Sequence, residues 1–285
     1  MTVNYTSKKV RQKIISILLT ILLALVGIIV LLPILWMLST SLKEQGQVFI
    51  MPPKWIPHPI QWSNYPKALD FMNVKIVYRN TILITSIDIL GTIISSTLVA
   101  FAFARLRAPG KEVLFLIVLS TIMLPQQVVL IPQFILFKLL GWVDTFYPLT
   151  IPFFFATTPF LIFLLRQFFM TIPIEMDEAA RIDGCSYFQI YARIILPLSK
   201  PALGIVAIQS FMNNWNEFIR PLIFINSASK YTVSVALANF SSDYGMTPWN
   251  LLMAASLVAL LPCIILFFFA QRYLIQGIVI TGLKG

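Results

Sequence analysis

Residues 14–38 read IISILLTILLALVGIIVLLPILWML, 25 positions without a charged side chain, set directly behind Lys8, Lys9, Arg11 and Lys13. A helix needs about 20 apolar residues to cross a bilayer core, so this run is long enough. Its 18 Leu, Ile and Val residues contribute about −5 to −11 kcal/mol of insertion free energy at roughly −0.3 to −0.6 kcal/mol each. A secretory signal has an apolar stretch of only about 7–15 residues and ends in small residues at a cleavage site. This one is longer and ends in Trp36-Met37-Leu38, and it reads as a retained membrane helix.

Outward from that run the chain is of the same kind. Of its 285 residues 58% are hydrophobic and 11% charged, where a soluble domain carries about 25% charge. The fold class is therefore all-α and polytopic, a single membrane domain over residues 1–285 with six spans at about 14–38, 78–104, 113–137, 145–165, 201–225 and 248–271. Prolines inside the spans, such as Pro33, Pro132, Pro152 and Pro262, are tolerated in membranes as kinks. Pro125-Gln126-Gln127 followed by Pro132-Gln133 is the most interrupted stretch, and two readings of it stand: a broken helix facing a cavity, or a plain kink. The net charge of +10 suits cations beside anionic headgroups rather than nucleic acid. One histidine, His58, and two cysteines, Cys185 and Cys263, exclude a Cys/His metal cluster and a disulfide scaffold.

Counting Lys and Arg in short loops sets the orientation. The side that bears the termini holds 13 of the 21, with the turn Arg105-Leu106-Arg107-Ala108-Pro109-Gly110-Lys111 the sharpest signal, so both termini are expected in the cytoplasm. On that side residues 166–200 are too polar to insert and too patterned to be slack. Pro173 fits a first helical turn, where Glu175, Asp177 and Glu178 favour the helix dipole. Asp177 and Arg181 stand at i,i+4 and are expected to pair. Ala179 and Ala180 lack bulk, so another protein's backbone could approach them closely. Asp183-Gly184 interrupts the helix, and a second helical run over residues 186–196 continues to Pro197. Periodicity alone leaves two readings of equal weight: a force-transmitting elbow, or an interfacial hairpin that caps the bundle.

Glu178-Ala179-Ala180, then Gly184, then Ile194-Ile195-Leu196-Pro197 resembles the EAA signature of bacterial ABC importer permeases. The stretch 211–218, FMNNWNEF, and the tail 276–285, QGIVITGLKG, narrow the resemblance to carbohydrate-uptake permeases of the maltose-transporter, MalG-like type. That resemblance implies that Glu178, Ala179, Ala180, Asp183, Gly184, Ile194, Leu196 and Pro197 form a coupling segment against an ATPase. It likewise implies that Gly282, Leu283, Lys284 and Gly285 form a tail touching the same ATPase. The implied partners are a second permease making a heterodimer, two copies of a cytoplasmic ABC ATPase, and an extracytoplasmic sugar-binding protein. A loop over residues 226–247, with 239–244 foremost, is implied to enter that protein's cleft. The implied location is the bacterial cytoplasmic membrane. The sequence agrees in lacking a Gly-x-x-x-x-Gly-Lys-Ser/Thr phosphate cradle; no cofactor is expected on this chain, and ATP with Mg belongs to the partner.

Polar residues within the spans give the candidate substrate pathway. Asp88 alone costs about +2.5 to +3.5 kcal/mol at a helix centre, and it can line the pore, pair with a neighbouring helix, or sit tolerated near an end. Glu217 and Arg220, three apart, are expected to offset one another. With Asn213, Asn214, Trp215 and Asn216 they make a strip of amides, acid and indole suited to sugar hydroxyls and ring faces; interhelical hydrogen bonding is the other reading. An ion-coupled transporter or channel is the alternative class. An enzyme has little support, since no nucleophile has the company of a base.

Overall fold

The computed structural model describes residues 5–240 and 247–282, with side chains described over 10–240 and 247–271. In chain order the helices are α1 (Tyr5–Ser41), α2 (Asn64–Phe71), α3 (Val74–Arg105), α4 (Lys111–Ser120), α5 (Gln126–Leu139), α6 (Tyr147–Thr150), α7 (Pro159–Thr171), α8 (Glu175–Ile182), α9 (Tyr187–Ile190), α10 (Leu196–Leu198), α11 (Lys200–Trp215), α12 (Ile219–Phe224), α13 (Val233–Asn239) and α14 (Trp249–Gly282). No strand occurs among the described residues. The chain gathers into two compact units. One takes the chain up to Phe71 with Phe240–Val258; the other takes Met72–Asn239 and the chain from Ala259.

In the first unit, α1 is apolar on every side, and no residue of its most apolar window is buried. A helix that is hydrophobic all round is stable in this state only with lipid or protein around it. Its far end is held by polar staples that the span reading did not anticipate. Asn64 donates through Nδ2 to the carbonyls of Ser41 and Lys43, each at 2.8 Å, and Asn250 donates to Lys43 O at 3.2 Å. The Lys43 ammonium, buried, lies 4.0 Å from the centroid of the Trp36 ring.

The second unit is organised by α3. Its buried positions Thr81, Thr85, Asp88, Thr92, Ser95, Ser96 and Ala100 recur every three or four residues, while Ile82, Leu83, Leu90, Ile94 and Leu98 are exposed. Over much of α3 this inverts the soluble pattern: small and polar side chains face protein and large apolar ones face outward, with Val77, Ile84 and Phe101 the buried apolar exceptions. Small residues let backbones approach, and hydroxyls fasten them. Ser95 Oγ donates to Phe153 O at 2.7 Å and Ser96 Oγ lies 3.0 Å from Thr158 Oγ1. At Gly91 a Cβ would sit 2.8 Å from the Phe154 ring. Gly91→Leu is expected to destabilise the bundle by about 1–3 kcal/mol through overpacking, seen as a lower melting temperature in detergent.

Two spans are not single rods. Residues 113–137, expected as one span, form α4 and α5, bent by 97° where they meet. Pro125 is the cause: it lacks an N–H, and Leu124 before it is forced to an extended ψ of 117°. The fifth span, expected over 201–225, is α11, a break at residues 216–218, and α12. The fourth runs longer than expected, to Thr171, so Arg166 belongs to α7 and the polar segment begins after it.

Candidate functional site: an elbow and a buried recess

The elbow is built by local backbone chemistry. Helix α8 begins with Glu175, Asp177 and Glu178 in its first turn, where carboxylates meet the free N–H groups. It closes with two bonds, Gly184 N–H to Arg181 O at 3.0 Å and Cys185 N–H to Ala180 O at 2.9 Å. Gly184 has φ +84°, the left-handed geometry this double closure requires. A reciprocal cap then starts the second arm: Ser186 N–H donates to Gln189 Oε1 at 2.7 Å, and Gln189 N–H donates to Ser186 Oγ at 3.3 Å. That arm runs through α9, a π-helical turn at Tyr191–Ile195, and α10.

Each arm has two faces. Ala180, Ile190, Tyr191 and Ile195 join a core with Ala100, Phe101, Leu165, Phe169 and Val206, and Ile194 and Leu196 pack against it. Met176, Glu178, Ala179, Ile182, Asp183, Gly184, Phe188 and Pro197 are exposed, Ile182 by 87% and Phe188 by 68%. Ala180 thus serves its own core rather than an outside backbone. Asp177 does not take Arg181 as its partner. It faces Arg105 at 3.3 Å, both side chains buried, while Arg181 lies over the Tyr187 ring at 5.1 Å. Burial pushes the Asp177 carboxyl above its ordinary range, and Arg105 draws it back in part.

Nearer the middle of α3 lies a recess lined by Thr81, Thr85, Asp88, Asn214, Glu217, Arg220 and Thr232 together with Ile84, Leu149 and Pro221. It gives about 10 Å³ to the centre of a water molecule, room for a single one. Asp88 is 1% exposed, and neither of its oxygens has a hydrogen-bond partner. Arg220 donates from Nη2 to Pro148 O at 2.7 Å, and its backbone N–H donates to Glu217 Oε1 at 3.2 Å. The expected Glu217–Arg220 side-chain pair is therefore a side-chain to backbone bond.

Of the predicted strip, Asn214 and Glu217 reach the recess with Asp88; Asn213, Trp215 and Asn216 do not. Asn213 accepts from Gln209 at 3.3 Å, and Asn216 donates to Met212 O at 2.8 Å. Trp215 is buried, its ring N–H donating to Ala259 O at 3.1 Å, with Phe211 stacked at 5.3 Å and Tyr78 edge-on at 5.6 Å. With its faces covered it packs the bundle and offers no platform to a sugar. Leu283, Lys284, Gly285 and residues 241–244 lie outside the described residues, as does any side-chain statement about the end of α14.

The sequence profile of the family described as "Binding-protein-dependent transport system inner membrane component" matches residues 3–280. The chain belongs to that family. It is similar to the trehalose/maltose transport system permease protein MalG of Thermococcus litoralis, 34% identical over 271 residues, covering 94% of this chain and 97% of that protein. It is also similar to the arabinooligosaccharides transport system permease protein AraQ of Bacillus subtilis, 29% identical over 277 residues, covering 94% and 95%. Among solved structures it resembles a bacterial ABC transporter involved in the import of the acidic polysaccharide alginate, at TM-score 0.80 and 25% identity, covering 92% of this chain and 97% of that one.

As a binding-protein-dependent permease the chain is a membrane-embedded transport component of an ABC importer, not an enzyme. Such a permease works with a partner permease, an ATPase and a substrate-binding protein. Sequence reasoning passed over three groups in this permease. Arg105 figured there only in the cationic turn, and Tyr191 and Asp144 were given no role. Asp144 accepts the N–H groups of Asn226 and Ser227 at 3.0 and 2.9 Å, the Ser227 hydroxyl at 2.5 Å and the Lys230 ammonium at 3.0 Å. The Ser227 bonds first, then Lys230, hold its carboxyl well below the usual carboxylate range. A depressed value means the clasp is complete above pH about 4, the ordinary Asp value, and opens only as pH falls through the lower one. Amide exchange at Asn226 and Ser227, corrected for intrinsic rate, is expected to be the same at pH 5 and pH 7 and about tenfold faster in Asp144→Asn.

Proposed function

We propose that this permease is one half of a heterodimeric carbohydrate importer of the bacterial cytoplasmic membrane, with both termini in the cytoplasm. The observation that carries the reading is the elbow: one face is built into the core around α3, and the opposite face presents Met176, Ile182 and Phe188 beside Glu178 and Ala179. Such a face fits a groove on a cytoplasmic ATPase, two copies of which would bind ATP and Mg. Carbohydrate as the cargo is supported by what the similar permeases are named for, trehalose and maltose in one and arabinooligosaccharides in the other. Dependence on a binding protein is a feature of the family; that the binding protein takes a sugar and delivers it from outside the cytoplasm is part of the same proposal. The candidate contact of this subunit with the cargo is the recess at Asp88, Asn214 and Glu217, whose acceptors suit hydroxyl donors. The candidate contacts with the ATPase are the exposed elbow residues and the tail Gly282, Leu283, Lys284 and Gly285. Co-expression with a partner permease, an ATPase and a binding protein, followed by reconstitution in proteoliposomes, tests the reading. Uptake of a labelled oligosaccharide that needs both ATP and the binding protein is expected; uptake by this chain alone without nucleotide would overturn it.

A further inference from the structure

Arg105 is the last residue of α3, and its side chain is 5% exposed. From Nη2 it donates to Phe169 O at 2.9 Å and Ile172 O at 2.8 Å, two carbonyls at the C-terminal end of α7, the first of which also accepts the Ile172 N–H at 3.2 Å. A guanidinium at that end also meets the negative pole of the α7 dipole. Its Nε stands 3.3 Å from Asp177 Oδ2 in α8. That approach is electrostatic rather than a formed hydrogen bond, since Nε and Asp177 Oδ1 have no hydrogen-bond partner. One side chain thus touches the end of α3, the end of α7 and the first turn of α8.

The second arm of the elbow has its own tie to the same helix. Tyr191 OH lies 2.8 Å from Thr97 Oγ1, and its ring is 5.4 Å from that of Phe101. Both arms are therefore fastened to α3, one at its last residue and one two turns earlier. Asp88 lies 17 positions before Arg105 in the same unbroken helix, about 26 Å along it at 1.5 Å per residue. Apolar packing alone permits sliding along the helix. A buried ion pair resists displacement in any direction, because separating it leaves the Asp177 carboxylate buried away from its counter-charge and Arg105 with its two carbonyls alone.

We propose that Arg105 and Asp177 form a strut that makes α3 follow α8, so that a displacement of the elbow reaches the Asp88 recess. They are positioning residues and do not touch the cargo. The inference rests on the proposed function, in which an ATPase displaces the elbow.

The test uses the complete importer in proteoliposomes with its binding protein, measuring ATP hydrolysis and sugar uptake per assembled complex in one sample. Asp177→Asn keeps the shape and removes the charge. It is expected to hydrolyse ATP within about twofold of the wild type while uptake per ATP falls about tenfold, and Asp177→Glu is expected to recover most of that ratio. Hydrolysis and uptake that fall in proportion, or an unchanged ratio, would overturn the strut. Should Asp177→Asn fail to assemble, Arg105→Lys carries the test with the same two outcomes, because an ammonium cannot span both carbonyls and the carboxylate as a guanidinium does. Gly184→Val separates this idea from the reading beneath it. An uncoupled Gly184→Val beside a normal Asp177→Asn sinks the strut alone, whereas a wild-type complex with no nucleotide-dependent uptake sinks the driven elbow itself.

Discussion

Gly184→Val leaves the permease inserted and assembled but lowers nucleotide-driven uptake at least tenfold, while Gly184→Asn retains most of it. Space is not the reason, since a Cβ at this position meets nothing within 4 Å. The reason is the backbone. At φ +84° a side chain crowds the following carbonyl, which costs about 1–2 kcal/mol for an ordinary residue, and a β-branched one fares worse. Asn tolerates this region because its short polar side chain bonds locally. Valine relieves the strain by leaving the left-handed region, and the bonds from Gly184 N–H and Cys185 N–H to Arg181 O and Ala180 O go with it. The angle between the arms then changes, and the exposed Met176, Ile182 and Phe188 no longer present one surface. The long apolar helices Val10–Ser41, Val74–Arg105, Tyr147–Thr171 and Trp249–Gln271 do not depend on that turn, so amounts in the membrane and resistance to detergent are expected to match the wild type. Parallel assays of membrane content, ATP hydrolysis and uptake check this, and a valine variant with normal uptake per ATP would remove the elbow from the mechanism.

The elbow was legible because it is written in neighbouring residues. Pro173, the acids after it, Gly184 and Pro197 each act on the backbone within a few positions, and the helix–turn–helix follows without knowledge of the rest of the chain. Asp177 marks where that legibility ends. Locally its natural partner is Arg181, four residues on; in the fold it faces Arg105, 72 residues away, because one face of α8 turns into the core and only a distant cation is buried there. Trp215 fails for a similar reason. Its neighbours Asn214 and Asn216 make it look like part of a polar lining, yet α11 turns it onto Phe211, Tyr78 and Ala259 O. In a membrane helix the inward and outward faces are both tolerant of apolar side chains, so hydrophobicity does not separate them. The small and hydroxyl residues of α3 do, at spacing of three and four, and that stripe was present in the sequence to be read. The bend at Pro125 was anticipated as one of two readings because proline acts locally, but the break between α11 and α12 has no proline at its centre and had no comparable sign.

Asp88→Asn raises the melting temperature of the detergent-purified complex by a few degrees and lowers uptake about tenfold at limiting substrate. Both effects follow from one observation: a carboxyl 1% exposed has no donor on either oxygen. Unmatched burial of such a group is destabilising, so an amide, or a leucine in Asp88→Leu, relieves it. The nearby guanidinium of Arg220 does not offset the expense by hydrogen bonding, for its Nη2 is directed to Pro148 O. A group retained at a loss in stability is expected to return it in activity, and in a recess shared with Asn214, Glu217 and Thr232 the matching chemistry is a hydroxyl donor from the cargo. The pair of variants separates the possibilities. Asn keeps one acceptor and Leu keeps none, so uptake is expected to fall further in Leu than in Asn, while both variants gain stability. Equal stability gains with uptake unchanged in both would show that Asp88 is a tolerated burial beside the route, and the cargo's contacts would then lie in the partner permease.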